Sequence, residues 1–291
     1  MMKIFIVIFL MASSTFAQLP AQPTDPAHPG SAAYKYSVKH ENFDLNGRRV
    51  DVYLPAGAAT QKFPVIVFGH GQAIDVAGYD ETFNHLAKKG IAVIHPTYDS
   101  GFFDRDWRRM AADFNQMTLQ KYPSLMDDKK VVYAGHSKGA YIALMAAGAP
   151  SRVVAVRSVL VFAPAGFDEE YLRNMDSKIP VTLVWSDDDS VIKQSDITTI
   201  YAKLASLNKQ WILVKSYPSL QATHFFPLTK SYFFGGQNGS TSYHYFAVWK
   251  WLIGAVNDLD AARPLTDVYL YGDQANSTGV SGLNHQITRN W

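Results

Sequence analysis

Short, unbroken apolar runs recur along the chain, separated by stretches with a helical pattern. Pro64–Gly69, Ile91–Pro96, Val131–Gly135, Ser158–Phe162, Val181–Trp185 and Trp211–Val214 carry almost no polar interruption. Runs of about four to eight residues without alternation are expected of strands buried on both faces, as in a parallel sheet. Ahead of them, Tyr34–Lys39 and Arg49–Leu54 alternate apolar and polar residues around Asn46-Gly47, which predicts an antiparallel opening pair. Helical patterns cover Tyr79–Lys89, Arg105–Tyr122, Lys138–Gly148, Ser195–Leu207 and Ser242–Val256. The predicted class is α/β, a doubly wound, mostly parallel sheet of eight strands with the first two antiparallel. No internal repeat is visible.

The link from Phe162 to Val181 holds only one short helical pattern, Gly166–Asn174, which leaves no room for a large cap domain. The tail from Leu259 contains Val268–Gly272 and Trp291, too apolar for a free end, and is expected to pack on the domain. At the other end Lys3 precedes the apolar run Ile4–Met11, and small residues lead to Ala17. This pattern predicts a signal peptide over 1–17, because the run is far shorter than the roughly 20 residues of a membrane span. A flexible leader rich in Pro, Ala and Gln is expected over 18–33, then a single domain over 34–291. The mature protein is expected to be secreted or periplasmic, with no stable membrane span.

Composition narrows the function classes. With 291 residues, 47% of them hydrophobic, the chain is long enough for one large core. Its 27 basic and 25 acidic residues leave a net charge of +2 with no basic run, so nucleic acid is not an expected partner. There is no cysteine, hence no disulfide and no thiolate metal ligand. No zinc-type histidine spacing occurs, and no metal is expected.

Four segments carry candidate chemistry. Gly135-His136-Ser137-Lys138-Gly139 fits G-x-S-x-G, between a predicted strand and a predicted helix. Such a turn exposes the serine hydroxyl on strained backbone, and flanking glycines avoid clashes with strand and helix. Phe68-Gly69-His70-Gly71-Gln72 closes the third strand. An oxyanion needs two preset backbone donors, for which Lys138 and Gln72 are the candidates. Ser186-Asp187-Asp188-Asp189 follows the strand ending at Trp185. Asp189 is the candidate acid, with Asp188 the alternative after one residue of slip, and Asp187 facing solvent or capping a helix. Ala222-Thr223-His224 follows the last apolar run, and His224 is the candidate base by chain order, Ser137 then Asp189 then His224. His70 and His136 read as loop supports. Trp185 and Tyr98, with Phe102 and Phe103, are candidates for an apolar substrate wall, against a reading as core packing.

With these motifs in hand, residues 34–258 resemble the α/β-hydrolase superfamily. Val67-Phe68-Gly69-His70-Gly71 and Gly135-His136-Ser137-Lys138-Gly139 are similar to chlorophyllase-like and lipase-like forms. The relatives most alike are small cap-less esterases: dienelactone hydrolases, chlorophyllases, platelet-activating-factor acetylhydrolases and polyester hydrolases. The resemblance implies a Ser-His-Asp triad, an acyl-enzyme intermediate and no cofactor. Dienelactone hydrolases proper use a cysteine nucleophile, absent here, and polyester hydrolases carry disulfides and tend to have an aromatic where Gln72 stands. The expected function is hydrolysis of a small-molecule, lipid or polymer carboxylic ester. The alternatives are a peptidase or amidase of the same fold and a non-catalytic binding protein.

Overall fold

A computed structural model of the protein describes residues 20–290, except 58–60, 100–102, 118–123, 151, 153, 218, 232–237, 262–264, 267–268 and 271–284. Over the described residues the chain is an α/β structure built on one sheet of nine strands in the order β1-β2-β4-β3-β5-β6-β7-β8-β9. The strands are β1 Ser37–Leu45, β2 Arg48–Ala56, β3 Phe63–Gly69, β4 Ala92–Pro96, β5 Met126–His136, β6 Val156–Phe162, β7 Val181–Ser186, β8 Lys209–Val214 and β9 His285–Asn290. From β4 across to β8 all neighbours are parallel, whereas β1–β2, β2–β4 and β8–β9 are antiparallel. Asn46 and Gly47, both at positive φ (55° and 77°), turn β1 into β2. This is the geometry a two-residue hairpin needs to match strand twist.

Among the described residues six α-helices flank the sheet: α1 Asp80–Lys88, α2 Trp107–Gln116, α3 Lys138–Gly148, α4 Glu169–Asn174, α5 Gln194–Lys203 and α6 Trp249–Asn257. The period of two along each central strand splits the core. Val65, Val67, Val131 and Tyr133 face one side with α2 to α5, while Ile66, Phe68, Val132 and Ala134 face the other with α1 and α6. Helix α3 is buried along its whole length under the middle of the sheet. Only α4 lies between β6 and β7. Among the described residues no helix is long and apolar enough to cross a membrane.

Three expectations need correction. The sheet has a ninth strand, drawn from the tail, which pairs antiparallel with β8 from Lys209–Asn290 to Val214–His285. An edge strand needs apolar residues on only one face, so His285–Asn290 is too polar to stand out in the sequence. Strand β1 extends to Leu45, well beyond the expected Lys39. The described part of the expected leader is docked: His85 Nε2 donates to the Pro29 carbonyl (2.8 Å), Lys89 Nζ to Ser31 Oγ (2.9 Å) and Ser242 Oγ to the Pro20 carbonyl (2.7 Å). A side chain at Gly30 would begin 2.1 Å from the Tyr245 carbonyl oxygen, so the segment lies flat against the turn before α6. Residues 1–17, with the expected signal peptide, lie outside the described residues, as do Phe102, Trp291 and most of Val268–Gly272.

Candidate functional site

Ser137 sits between the last residue of β5 and the first of α3, at φ 56° and ψ −120°. A non-glycine residue there is strained by roughly 1–3 kcal/mol. The turn is pinned on both sides: Ser137 N–H donates to the Phe162 carbonyl (2.9 Å), and its own carbonyl accepts from Ala165 N–H (3.2 Å). The glycines of the motif are there for proximity. A Cβ on Gly139 would stand 2.1 Å from the Gly69 carbonyl oxygen, and one on Gly135 would stand 2.5 Å from that of Gly139. Helix α3 therefore starts against the ends of β3 and β5, with its unpaired amino-terminal N–H groups at the site. Of the four non-glycine residues at positive φ among the described residues, Ala73, Ser137 and Ala163 all follow carboxyl ends of parallel strands.

The aspartate loop and the histidine loop are joined by one bridge. Asp188 pairs in parallel with Thr223, which sets the next residues, Asp189 and His224, side by side. His224 Nδ1 lies 2.9 Å from Asp189 Oδ2, and both side chains are buried. Asp189 Oδ1 accepts from the backbone N–H groups of Val191 and Ile192, each at 2.8 Å. An ionised carboxylate can only accept, so Nδ1 carries the imidazole proton and Nε2 is left as the basic nitrogen. Asp187, by contrast, is exposed, accepts from Ser216 N–H (2.9 Å) and lies 3.8 Å from Lys215 Nζ.

Serine and histidine segments meet through His136. Its Nε2 lies 2.9 Å from the His224 carbonyl oxygen and its Nδ1 lies 3.0 Å from Tyr79 Oη. The two imidazoles are tilted, with centroids 4.9 Å apart. Tyr79 Oη in turn accepts from Gly71 N–H (2.9 Å), in the turn after β3. The partners assign the protons: Tyr79 donates to Nδ1, and Nε2–H donates to the carbonyl. Burial holds the His136 pKa well below its usual value and so keeps the ring neutral, as this pattern requires.

No protein-family model matches the chain, and no curated protein matches it.

The remaining candidates fall in two groups. Gln72 lies in the Gly71–Ile74 turn, which Ile74 N–H closes on the Gly71 carbonyl (3.2 Å). Lys138 opens α3, and its buried Nζ meets Asp99 Oδ2 at 2.8 Å and lies 5.3 Å from the centre of the Trp107 ring. Tyr98 and Trp185 do not form an open apolar wall. Tyr98 is fully buried, stacks on His70 and donates to the His70 carbonyl. Trp185 is 8% exposed, and its Nε1–H donates to the Ile192 carbonyl (2.9 Å), which braces the loop that holds Asp189. Both rings fill space that strand-end aromatics occupy in a close-packed core. Phe103 is 82% exposed.

Sequence reasoning passed over Tyr79 and Asp99. Tyr79 read as the start of a helix, and Asp99 carried no reading. The single sequence sign of Asp99 was a lysine, Lys138, placed where burial would require a partner.

Proposed function

We propose that the protein is a serine hydrolase of the α/β-hydrolase type that cleaves carboxylic esters through an acyl-enzyme. Ser137 is the nucleophile, His224 the general base, Asp189 the acid that orients it, and the backbone N–H groups of Lys138 and Gln72 the oxyanion donors. The observation that carries this reading is the buried Asp189–His224 pair, whose main chain is bonded by His136, the residue before the strained Ser137. Strand order supports it too. The nucleophile follows β5, the acid β7 and the histidine β8 of a sheet ordered β1-β2-β4-β3-β5-β6-β7-β8.

In this mechanism His224 Nε2 takes the Ser137 hydroxyl proton as Oγ attacks the ester carbonyl. The tetrahedral oxyanion is met by two N–H groups fixed beforehand, one at the α3 amino terminus. Asp189 stabilises the imidazolium and stays ionised itself. His224 then gives the proton to the departing alkoxide, leaving Ser137 acylated. Water, deprotonated by the same nitrogen, attacks the acyl group and restores the serine. The β6–β7 link holds only α4, which supports the reading of a site without a large inserted cap. The enzyme is proposed to work outside the cytoplasm, on the strength of the apolar run Ile4–Met11.

A fluorophosphonate probe tests the assignment. It should label Ser137 and no other serine, and Ser137→Ala should fold normally while losing about 10⁶-fold in kcat. Labelling at another serine, or wild-type turnover in the alanine variant, overturns it.

A further inference from the structure

One buried tyrosine outside the proposed triad holds the histidine loop. Tyr243 is 1% exposed. Its Oη donates to the Leu220 carbonyl (2.8 Å) and lies 3.2 Å from the Lys215 carbonyl oxygen. Lys215 directly follows β8 and Leu220 stands four residues before His224, so one hydroxyl gathers the stretch that leads to the proposed base. The Tyr243 ring packs on Phe226, two residues beyond His224, with centroids 5.7 Å apart and planes at 65°. Phe226 in turn meets the ring of Phe162, whose carbonyl accepts the Ser137 N–H. Tyr243 therefore grips the loop on both sides of His224, by its hydroxyl before and by its ring after.

Tyr243 leads into a π-type turn, His244–Val248, in which Trp249 N–H reaches back five residues to the His244 carbonyl. Such turns are rare and concentrate at functional sites. The leader docks on this turn. Ser242 Oγ donates to the Pro20 carbonyl (2.7 Å), the His28 ring meets Phe246 edge-on with centroids 5.4 Å apart, and a Cβ on Gly30 would stand 2.1 Å from the Tyr245 carbonyl oxygen. The same leader is tied to His85 and Lys89 at the far end of α1. It thereby staples α1 to the turn. Each of the two stapled elements carries a buried tyrosine that reaches the proposed site: Tyr79, at the head of α1, bonds His136, and Tyr243 bonds the histidine loop. Residues 21–29 are exposed or half-buried, and the contacts that hold the leader are mostly polar. A segment of that kind opens at a lower free energy than the sheet beneath it.

We propose that Tyr243 is a positioning residue for the proposed base, and that the docked leader is the strap that keeps Tyr243 in place. This rests on the hydrolase reading above. Tyr243 touches no reacting atom; it acts by fixing where the main chain carries His224. When the leader lifts, the turn is released while the sheet stays folded, and His224 Nε2 drifts from Ser137. A small misplacement of a reacting group is enough to lower the rate.

Hydrogen exchange and steady-state kinetics on the full chain test this together. Tyr243→Phe removes the hydroxyl and keeps the ring, and Gly30→Ala pushes the leader off the Tyr245 carbonyl. Each should speed amide exchange in peptides covering 220–226 by at least about threefold, while β5 and β6 exchange at the wild-type rate. With 4-nitrophenyl acetate, kcat should fall about tenfold for Tyr243→Phe and about threefold for Gly30→Ala, with KM held within about twofold. A loss of packing alone would spread through the core and leave the kcat of the folded enzyme intact. If Gly30→Ala does not fold, Ser242→Ala, which removes the bond to Pro20, carries the same expectation. Unchanged exchange at 220–226 in Tyr243→Phe, or an unchanged kcat, overturns the positioning role. A response to Tyr243→Phe with none to the leader variant overturns the strap. Faster exchange at 220–226, in a protein whose wild type neither hydrolyses the ester nor takes up a fluorophosphonate at Ser137, supports the hold on the loop and overturns the hydrolase reading instead.

Discussion

His136 donates from Nε2 to the backbone carbonyl of His224, 2.9 Å away. The residue before the proposed nucleophile thus holds the main chain of the proposed base. Through Tyr79, the same imidazole is tied to Gly71 in the turn that contains Gln72. Three separate loops at the carboxyl end of the sheet share one hydrogen-bonded chain: Gly71 N–H, Tyr79 Oη, His136, His224 carbonyl. Such a chain keeps its members in register only while every link is made.

Tyr79→Phe removes the middle link and nothing else of size. It leaves a buried N–H at Gly71 and a buried lone pair on His136 Nδ1. Each such loss costs about 1–3 kcal/mol. Urea denaturation should show a loss in that range, and kcat should fall roughly tenfold as the turn loosens, with KM changing less. A variant with wild-type stability and turnover would show that the chain positions nothing.

Asparagine substitutions across the aspartate run separate position from composition. Asp189→Asn should cost roughly 10⁴-fold in kcat, because the amide presents the wrong hydrogen-bonding pattern to Nδ1–H and cannot balance the imidazolium. Asp187→Asn, on the exposed residue that accepts from Ser216 N–H, should change kcat by less than about threefold. A loss at Asp187 as large as that at Asp189 would sink the assignment.

The central sheet was legible because parallel strands covered on both faces must be apolar throughout, as in Val131 to Ala134 and Val181 to Trp185. What stayed hidden depends on contacts between distant segments. His285–Asn290 becomes a strand only because β8 offers it an edge. The leader is held by His85 and Lys89, some 55 to 60 residues away, for which no local pattern exists. At the site, residue types and chain order were readable as candidates. Which aspartate meets His224 depends on the Asp188–Thr223 bridge, and the covering of Tyr98 depends on how the β4–α2 link folds over His70.

Acid should unfold the protein through its buried histidines. Burial lowers the pKa of His85 and His95 to about 3 and of His244 to about 4. In the unfolded chain these groups titrate near 6.5. Between those limits the unfolded state binds more protons, so stability is full above about pH 6.5 and falls as pH drops towards 3–4. Each histidine contributes a slope of up to about 1.4 kcal/mol per pH unit. Thermal melts at pH 7, 6 and 5 should show a steepening fall in Tm. A Tm that stays flat from pH 7 to 5 would mean that these rings are solvated or already charged.

Lys138 and Asp99 form a buried ion pair at the foot of the proposed nucleophile. Two effects oppose each other there. Desolvation makes the pair a weak net contributor, yet removing one partner strands the other charge. Lys138→Met keeps the packing of the stem against Trp107 and abandons the Asp99 carboxylate, which should cost about 3–5 kcal/mol. Asp99→Asn strands the ammonium instead and should cost a similar amount. The double variant leaves a neutral amide beside a thioether, with no stranded charge, so it should recover most of the loss. The coupling in the cycle should then exceed about 2 kcal/mol. The proposed oxyanion donor at residue 138 is a backbone N–H, which the side-chain change leaves in place. The double variant should therefore keep kcat within about tenfold of wild type when assayed well below its melting point. Strictly additive losses would show that the pair is not coupled in solution. A dead but stable double variant would show that the ammonium itself takes part in the chemistry.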